Sequence, residues 1–346
     1  YKRQEVSVPS RTGITVSIRK LSICTLSQAL FGRTMLIRGL PLIRCIYATR
    51  VPASQVVTGL LDPIQKAFTD EFLSMETHRK VLVILGNQLV PLDRLKRQKN
   101  SLIYMTEDFG ACTYVRHHKH KLVLILSAMR AYADKLREAG HTVHYERLED
   151  NPRHLTFSDK LAAVVQKYQC RRLLHFEMQD KSMDRRMRKF AQRHSLQRAA
   201  LLSPMFLTPR EEFANWRAEQ MSPRMAEFYK WQRRRMNILM TDSGKPLGGR
   251  WSFDTDNRKR LPPGVALPDL PVYDSNPYVA GVKQLVNRCF ADHPGDVSNF
   301  MLPTTRDEAH QWLRDFLEQR FTNFGHYEDA LTTRSDHVFH LSLIHI

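Results

Sequence analysis

Lys80-Val-Leu-Val-Ile-Leu85, running into Gly86-Asn-Gln88, is the stretch that decides the fold. A short unbroken apolar run rich in β-branched side chains reads as a strand buried on both faces, and Gly-Asn-Gln reads as the turn that ends it. The pattern returns downstream. Strands are predicted at Val81 to Leu85, Leu102 to Met105, Thr142 to Tyr145 and Arg172 to Phe176, with a weaker one near Ala199 to Leu202. Between them lie amphipathic segments. The clearest helix runs from His117 to Ala139, where Leu122, Leu126, Met129 and Ala133 recur at spacings of three and four and Gly140 follows as the C′ residue. Alternating strand and helix predicts an α/β, doubly wound parallel-sheet (Rossmann-like) domain over residues 75–205.

Beyond 205 strand patterns give way to helical ones, at 209–220, 223–240, 278–291 and 305–321, with a Gly- and Pro-containing connector from Gly244 to Pro271. Residues 206–276 are therefore expected to form a helical interdomain connector, and 277–340 the start of a second, helical domain. Residues 1–74 are expected to be a non-domain leader, either upstream read-through or a targeting segment. The chain starts with Tyr1, residues 1–61 carry nine basic side chains against the single acid Glu5, and Met75 stands directly before the first strand. Leu341-Ser-Leu-Ile-His-Ile346 matches the translation of a sequencing adaptor and is expected to be an artefact.

Of 346 residues, 53 are Lys or Arg and 35 are Asp or Glu, a net of +18. Six of those net charges fall within residues 1–74, so twelve belong to residues 75–346. Such an excess favours a polyanionic partner, nucleic acid first, and argues against a purely acidic substrate. No run of about 18 apolar residues is present, so no helix is predicted to span a membrane. The five cysteines stand far apart, which excludes a paired metal knuckle or a disulfide-dense scaffold and points to a reducing, cytoplasmic setting for a monomer.

In an open parallel sheet, ligands bind beyond the carboxyl ends of the strands. That selects Gly86, Asn87 and Gln88 after the first strand, Glu107 with its neighbours Thr106 and Asp108 after the second, and Glu177 after the fourth. The plain alternative is a glycine that allows a tight turn and amides that cap local backbone. No glycine-rich dinucleotide or P-loop fingerprint follows the first strand. Tyr114 to Lys121 gathers Arg116, Lys119 and Lys121 at the positive end of a long helix, an arrangement more natural beside an anion. His117, His118 and His120 lack the further ligands a zinc site needs, so no metal site is assigned. Arg233, Arg234 and Arg235, interleaved with Tyr229, Lys230 and Trp231 and followed by Arg250, Trp251 and Arg258, suit a nucleic-acid surface, and a solvated helix face explains the charges almost as well. Met225, Phe228, Met236 and Met240 are expected to be core. No catalytic residue is assigned.

Val83-Ile-Leu-Gly-Asn-Gln-Leu89, Tyr114-Val-Arg-His-His-Lys119, Ser127-Ala-Met-Arg130, Glu212-Phe-Ala-Asn-Trp216 and Gly248-Gly-Arg-Trp-Ser-Phe-Asp254 with Asn257-Arg258 resemble, in that order, the deoxyribodipyrimidine photolyase-related family of bacterial iron–sulfur cryptochromes and (6-4) photolyases. The resemblance covers roughly residues 80–340. It implies an α/β antenna domain, a linker and an all-helical domain carrying FAD and a four-cysteine 4Fe–4S cluster, most of it expected beyond His340; none of the five cysteines falls at a cluster-ligand position. It further implies a lumazine-type antenna chromophore at positions matching Gly86, Asn87, Gln88, Tyr114, His117 and Ile125. Asn87 and Ala111 stand where relatives commonly have carboxylates, and Glu107 is the expected substitute. The implied function is light-driven repair of UV-damaged DNA, of the (6-4) type, in which a damaged pyrimidine pair is flipped out and split by an electron from photoexcited reduced FAD. The alternatives are a blue-light photoreceptor of the cryptochrome type and a basic nucleic-acid-binding module without chemistry.

Overall fold

The computed structural model describes residues 80–257, 259–272, 276–335 and 338–339. The expectations for residues 1–74 and 341–346, and for Arg258, lie outside the described residues. Among the described residues no helix is long and apolar enough to cross a membrane.

Five strands form one sheet: β1 Lys80–Val83, β2 Leu102–Thr106, β3 Val143–Glu146, β4 Arg172–Phe176 and β5 Gln197–Leu201. All neighbours pair parallel, in the order β3-β2-β1-β4-β5. This is the Rossmann-like sheet that the apolar runs predict. The edge strand β5 begins earlier than the weak apolar signal at Ala199, because Gln197 and Arg198 are ladder partners of Arg172 and Leu173.

Alternation along each strand feeds two cores. Val81, Val83, Leu102, Tyr104 and Leu173 face one side, where helices α3 (Phe157–Lys167) and α4 (Lys181–Arg193) cover them with Leu161, Val164, Met187 and Phe190. Leu82, Ile84, Ile103, Met105, Leu174 and Phe176 face the other and meet Met129, Ala133 and Leu136 of α2 (Lys119–Glu138). A short helix, α1 (Phe109–Thr113), precedes α2 and is capped by the Asp108 carboxylate on Ala111 N.

The α2 stripe is divided. Met129 and Ala133 pack on the sheet, but Leu122, Val123 and Leu126 pack against α7 (Tyr278–Cys289) through Val279, Val282, Leu285 and Val286. A helix covered on two sides needs apolar residues beyond one stripe, which explains the added Val123. The helix assigned by sequence to the opening of a second domain thus packs directly on the α/β unit.

Helix α2 starts at Lys119, two residues later than its pattern suggests, because His118 is its N-cap, with Nδ1 accepting from His120 N. Gly140, at φ 79°, ends it as expected. Helices α5 (Arg210–Ala218) and α6 (Met225–Met236) form the connector; α6 stops short of 240 because Asn237 takes a left-handed cap at φ 53°. Trp216, Phe213, Phe228 and Trp231 hold these two helices together through ring contacts at 4.9 to 6.2 Å. Met225, expected in the core, is exposed. Helices α8 (Arg306–Gln319), opened by a Thr305–Glu308 capping box, and α9 (Phe321–Phe324) complete the described chain.

Candidate functional site

The strand order reverses between β1 and β4, so the ligand crevice of this sheet lies at the carboxyl ends of those two strands. That grouping puts Gly86–Gln88 with Glu177 and leaves Glu107, at the end of β2, to one side.

Gly86 is there because α2 comes close. A Cβ on it would stand 2.6 Å from Met129 Sδ and 3.1 Å from Ile125 Cγ2. Close approach, and not a left-handed turn, is what requires glycine. Gly86 and Ile125, expected in one pocket, are therefore neighbours, with Ile125 half-buried. Asn87 is exposed. Gln88 turns inward to 5% exposure, and its Nε2 donates to the Glu177 carbonyl oxygen at 2.9 Å, tying β1 to β4 across the switch point. Its Oε1 is buried with no hydrogen-bond partner. The far wall is polar: Glu177 Oε2 accepts from Ser203 N at 3.3 Å, and Arg210 donates to the Met178 carbonyl.

Glu107 stands apart from this. It is 1% exposed, and its carboxylate accepts from Arg130 Nε at 2.7 Å and Nη2 at 2.9 Å, from Tyr145 Oη at 2.7 Å and from Leu148 N at 2.8 Å. Burial and the Glu107 charge push the Tyr145 phenol up, keeping it a donor. Arg130 also reaches Glu149 at 2.8 Å, and buried Lys160 binds the Glu107 carbonyl at 2.7 Å and lies 3.2 Å from Asp108 Oδ2. A carboxylate with four donors already has its lone pairs engaged by the protein itself.

Tyr114 and His117 make a separate pair. Tyr114 is 72% exposed, edge-on to the His117 ring at 4.8 Å. His117 is buried, with Nδ1 3.3 Å from Lys121 Nζ and its carbonyl accepting from His293 Nδ1 at 2.9 Å. Burial, reinforced by the Lys121 charge, holds its imidazole below the usual histidine range. Among the described residues no hydrogen bond, ion pair or ring contact joins Tyr114 or His117 to Gly86–Gln88. The expected anion position at the start of α2 is filled by the protein itself: Lys119 N donates to the Pro294 carbonyl at 2.9 Å, and the His118 ring lies where a Cβ on Gly295 would come within 2.1 Å of Nε2.

The expected nucleic-acid residues divide. Arg233 is 6% exposed; its guanidinium donates to the carbonyls of Ile238 at 3.2 Å, Leu239, and Trp251 at 3.4 Å, and sits over the Tyr229 and Trp251 rings. It folds the 237–251 segment onto α6, with its guanidinium turned inward. Arg235 pairs with Glu212 and lies over Trp231. Arg234 is exposed and stacks at 4.6 Å on Trp251.

Burial pushes the Cys112 thiol up to about 12 and the Cys170 thiol up to about 11, and no group of three metal-ligating side chains converges among the described residues. Sequence reasoning missed Arg130, Lys160 and Tyr145 as partners of Glu107, and Glu149 as the second partner of Arg130. The available signal was an arginine on the inner side of α2, where Ser127 is the one other polar residue among the buried ones.

A five-stranded all-parallel, Rossmann-like sheet flanked by helices is the class that the fold defines. Residues 82–302 match the family model described as deoxyribodipyrimidine photo-lyase-related protein, and the chain belongs to that family. It is 32% identical over 256 residues to a (6-4) photolyase of Agrobacterium fabrum, an alignment covering 73% of this chain and 50% of that protein. It is 25% identical over 194 residues to an uncharacterized protein of Acanthamoeba polyphaga mimivirus, covering 53% of this chain and 96% of that one. The chain thus spans half the length of its Agrobacterium relative.

Proposed function

We propose that this chain carries the light-collecting part of a photolyase-type DNA-repair protein of the (6-4) class, with an antenna chromophore of the lumazine type in the crevice between β1 and β4. Membership of the photolyase-related family and similarity to a (6-4) photolyase support the repair chemistry. When bound, reduced FAD supplies the photoexcited electron that splits the joined pyrimidines. The described residues hold and orient the antenna.

The observation that carries the antenna position is the unpaired Gln88 Oε1, a buried acceptor at the switch point. A buried carbonyl without a partner is costly, and a ring N–H of a pteridine-type ligand would satisfy it. Glu177 holds the Gln88 amide through its backbone, so the acceptor is fixed in direction. Ile125, half-buried beside Gly86, offers an apolar surface for a ring. Asn87 stands exposed at the rim, where a sugar-like chain would extend.

Titration of the purified chain with a dimethyl ribityllumazine, followed by fluorescence, tests this. The expected result is saturable binding that Ile125→Trp abolishes and Gln88→Leu weakens about tenfold, the loss of one hydrogen bond of about 1.4 kcal/mol. Absent binding, or binding indifferent to both substitutions, would contradict the assignment.

A further inference from the structure

Helix α4 carries a row of cations that neither the fold nor the crevice uses. Its inner face, Met187, Phe190 and Ala191, is buried in the sheet core, with Met183 packed against it. Its one acid, Asp184, also turns inward, where Arg188 and Arg198 hold the carboxylate, Arg198 Nη2 at 2.6 Å. On the outside, Lys181, Arg185, Lys189 and Arg193 follow one another at intervals of four residues, with Arg186 alongside, and all five are exposed. Among the described residues none has a carboxylate within ion-pair distance. The nearest acids are engaged elsewhere: the Asp180 carboxylate accepts from Ser182 N and Met183 N, and Asp159 is held by Thr156. Arg171 adds a further exposed cation near the Arg193 end, its carbonyl accepting from Gln197 N.

Like charges four residues apart destabilise a helix, and cations in its first turn oppose the macrodipole. A merely solvated face mixes signs, whereas this one carries five cations with acids only toward its ends, Asp180 near Arg186 and Asp159 near Arg193. The row is about 18 Å long at 1.5 Å per residue. One strand of duplex DNA presents a phosphate about every 3.4 Å of axis, so the row spans about five of them.

We propose that this outer face of α4 is a contact surface for the sugar–phosphate backbone of duplex DNA, read without sequence preference. The proposal rests on the DNA-repair reading and adds a surface on the α/β unit to it. The helix buries its apolar side in the core, so it has nothing to insert into a lipid surface. No exposed aromatic ring stands in the row to stack on unpaired bases, which separates it from a single-strand platform. Phosphate contact by cations alone is what remains.

The test measures binding of the full chain to a short undamaged duplex across a range of salt. Every phosphate that the protein ceases to neutralise removes about 0.9 from the slope of log affinity against log salt. The triple change Arg185→Gln, Lys189→Gln and Arg193→Gln is therefore expected to lower the slope by about 2.7 and weaken binding at low salt at least tenfold, while the charge-conserving pair Arg185→Lys and Arg193→Lys keeps the slope. Glutamine is a good helix former, and an unchanged far-UV spectrum and urea midpoint show that the triple variant is folded. An unaltered slope in a chain that binds DNA overturns this surface and leaves the repair reading standing. A chain with no affinity for duplex DNA also overturns this surface, and the repair reading is then decided by the lumazine titration. Binding of single-stranded RNA or of phosphatidylserine-containing vesicles that depends on the row, with duplex binding unchanged, also overturns it.

Discussion

Two strand ends close together in the sheet have opposite characters. Beyond β2, the Glu107 carboxylate is met by four donors from Arg130, Tyr145 and Leu148, and a second carboxylate, Glu149, completes the arginine. Beyond β1, Gln88 uses its amide N–H to reach β4 and leaves its oxygen buried and unpaired. Both groups are polar and enclosed, so burial alone does not mark a site. The difference lies in satisfaction: a closed network fixes the ends of β2, β3 and α2, whereas the open acceptor at Gln88 leaves a hydrogen bond that water or a ligand can make.

The largest effect is expected from breaking the closed region. Arg130→Met leaves the Glu107 carboxylate buried without its cation, and urea unfolding should show a loss of about 3–5 kcal/mol. In the open region Ile125→Trp must place an indole against Gly86, and a stability cost of about 1–3 kcal/mol should accompany full loss of lumazine binding in the same titration. Gly86→Ala brings a methyl group onto Met129 Sδ and should cost about 1–3 kcal/mol. Combined with Met129→Ala it should cost less than the two single changes together, by about 0.5–3 kcal/mol in a double-mutant cycle.

The smallest effect is a pH dependence that belongs to neither region. Burial holds the imidazoles of His117, His120, His141 and His175 below the usual histidine range. Their unfolded forms bind protons near pH 6.5 that the folded forms refuse. The resulting stability is complete above about pH 6.5 and declines as the pH falls below that value, toward the lower folded-state range. Urea midpoints measured between about pH 7.5 and 5.5 should show the decline, smaller than the loss from any of the substitutions above. His175→Leu, which removes a fully buried ring whose Nε2 has no partner, should make the decline shallower, leaving the share of His117, His120 and His141. Neither Gly86–Gln88 with Glu177 nor Glu107 with Arg130 contains a histidine, so lumazine affinity should stay level across the same range.

Much of the sheet was legible because strands buried on both faces must be apolar throughout, as Val81–Ile84 and Leu102–Met105 are. Helix α2 was legible through its stripe and Gly140. Its second apolar side was not, because Leu122 and Leu126 look alike whether they meet a sheet or α7. Strand order is not written in any local pattern, so the pairing of Gly86–Gln88 with Glu177 as the switch point appears only once β4 is seen beside β1. The same holds for Glu107 and Arg130, whose pairing depends on how α2 lies across the sheet. Arg233 looked like its exposed neighbour Arg234, and only the return of Ile238, Leu239 and Trp251 over α6 turns one of them into an internal clamp.

One paired measurement reaches the central claim directly: urea unfolding and lumazine titration performed on Gln88→Leu and Glu107→Gln side by side. Gln88→Leu removes the unsatisfied acceptor together with the amide bond to the Glu177 carbonyl and should cost less than about 1.5 kcal/mol while weakening lumazine binding about tenfold or more, whereas neutralising Glu107 should cost about 2–3 kcal/mol and leave the affinity unchanged. A Glu107→Gln variant that loses the lumazine while Gln88→Leu retains it would contradict the account and move the site to the end of β2.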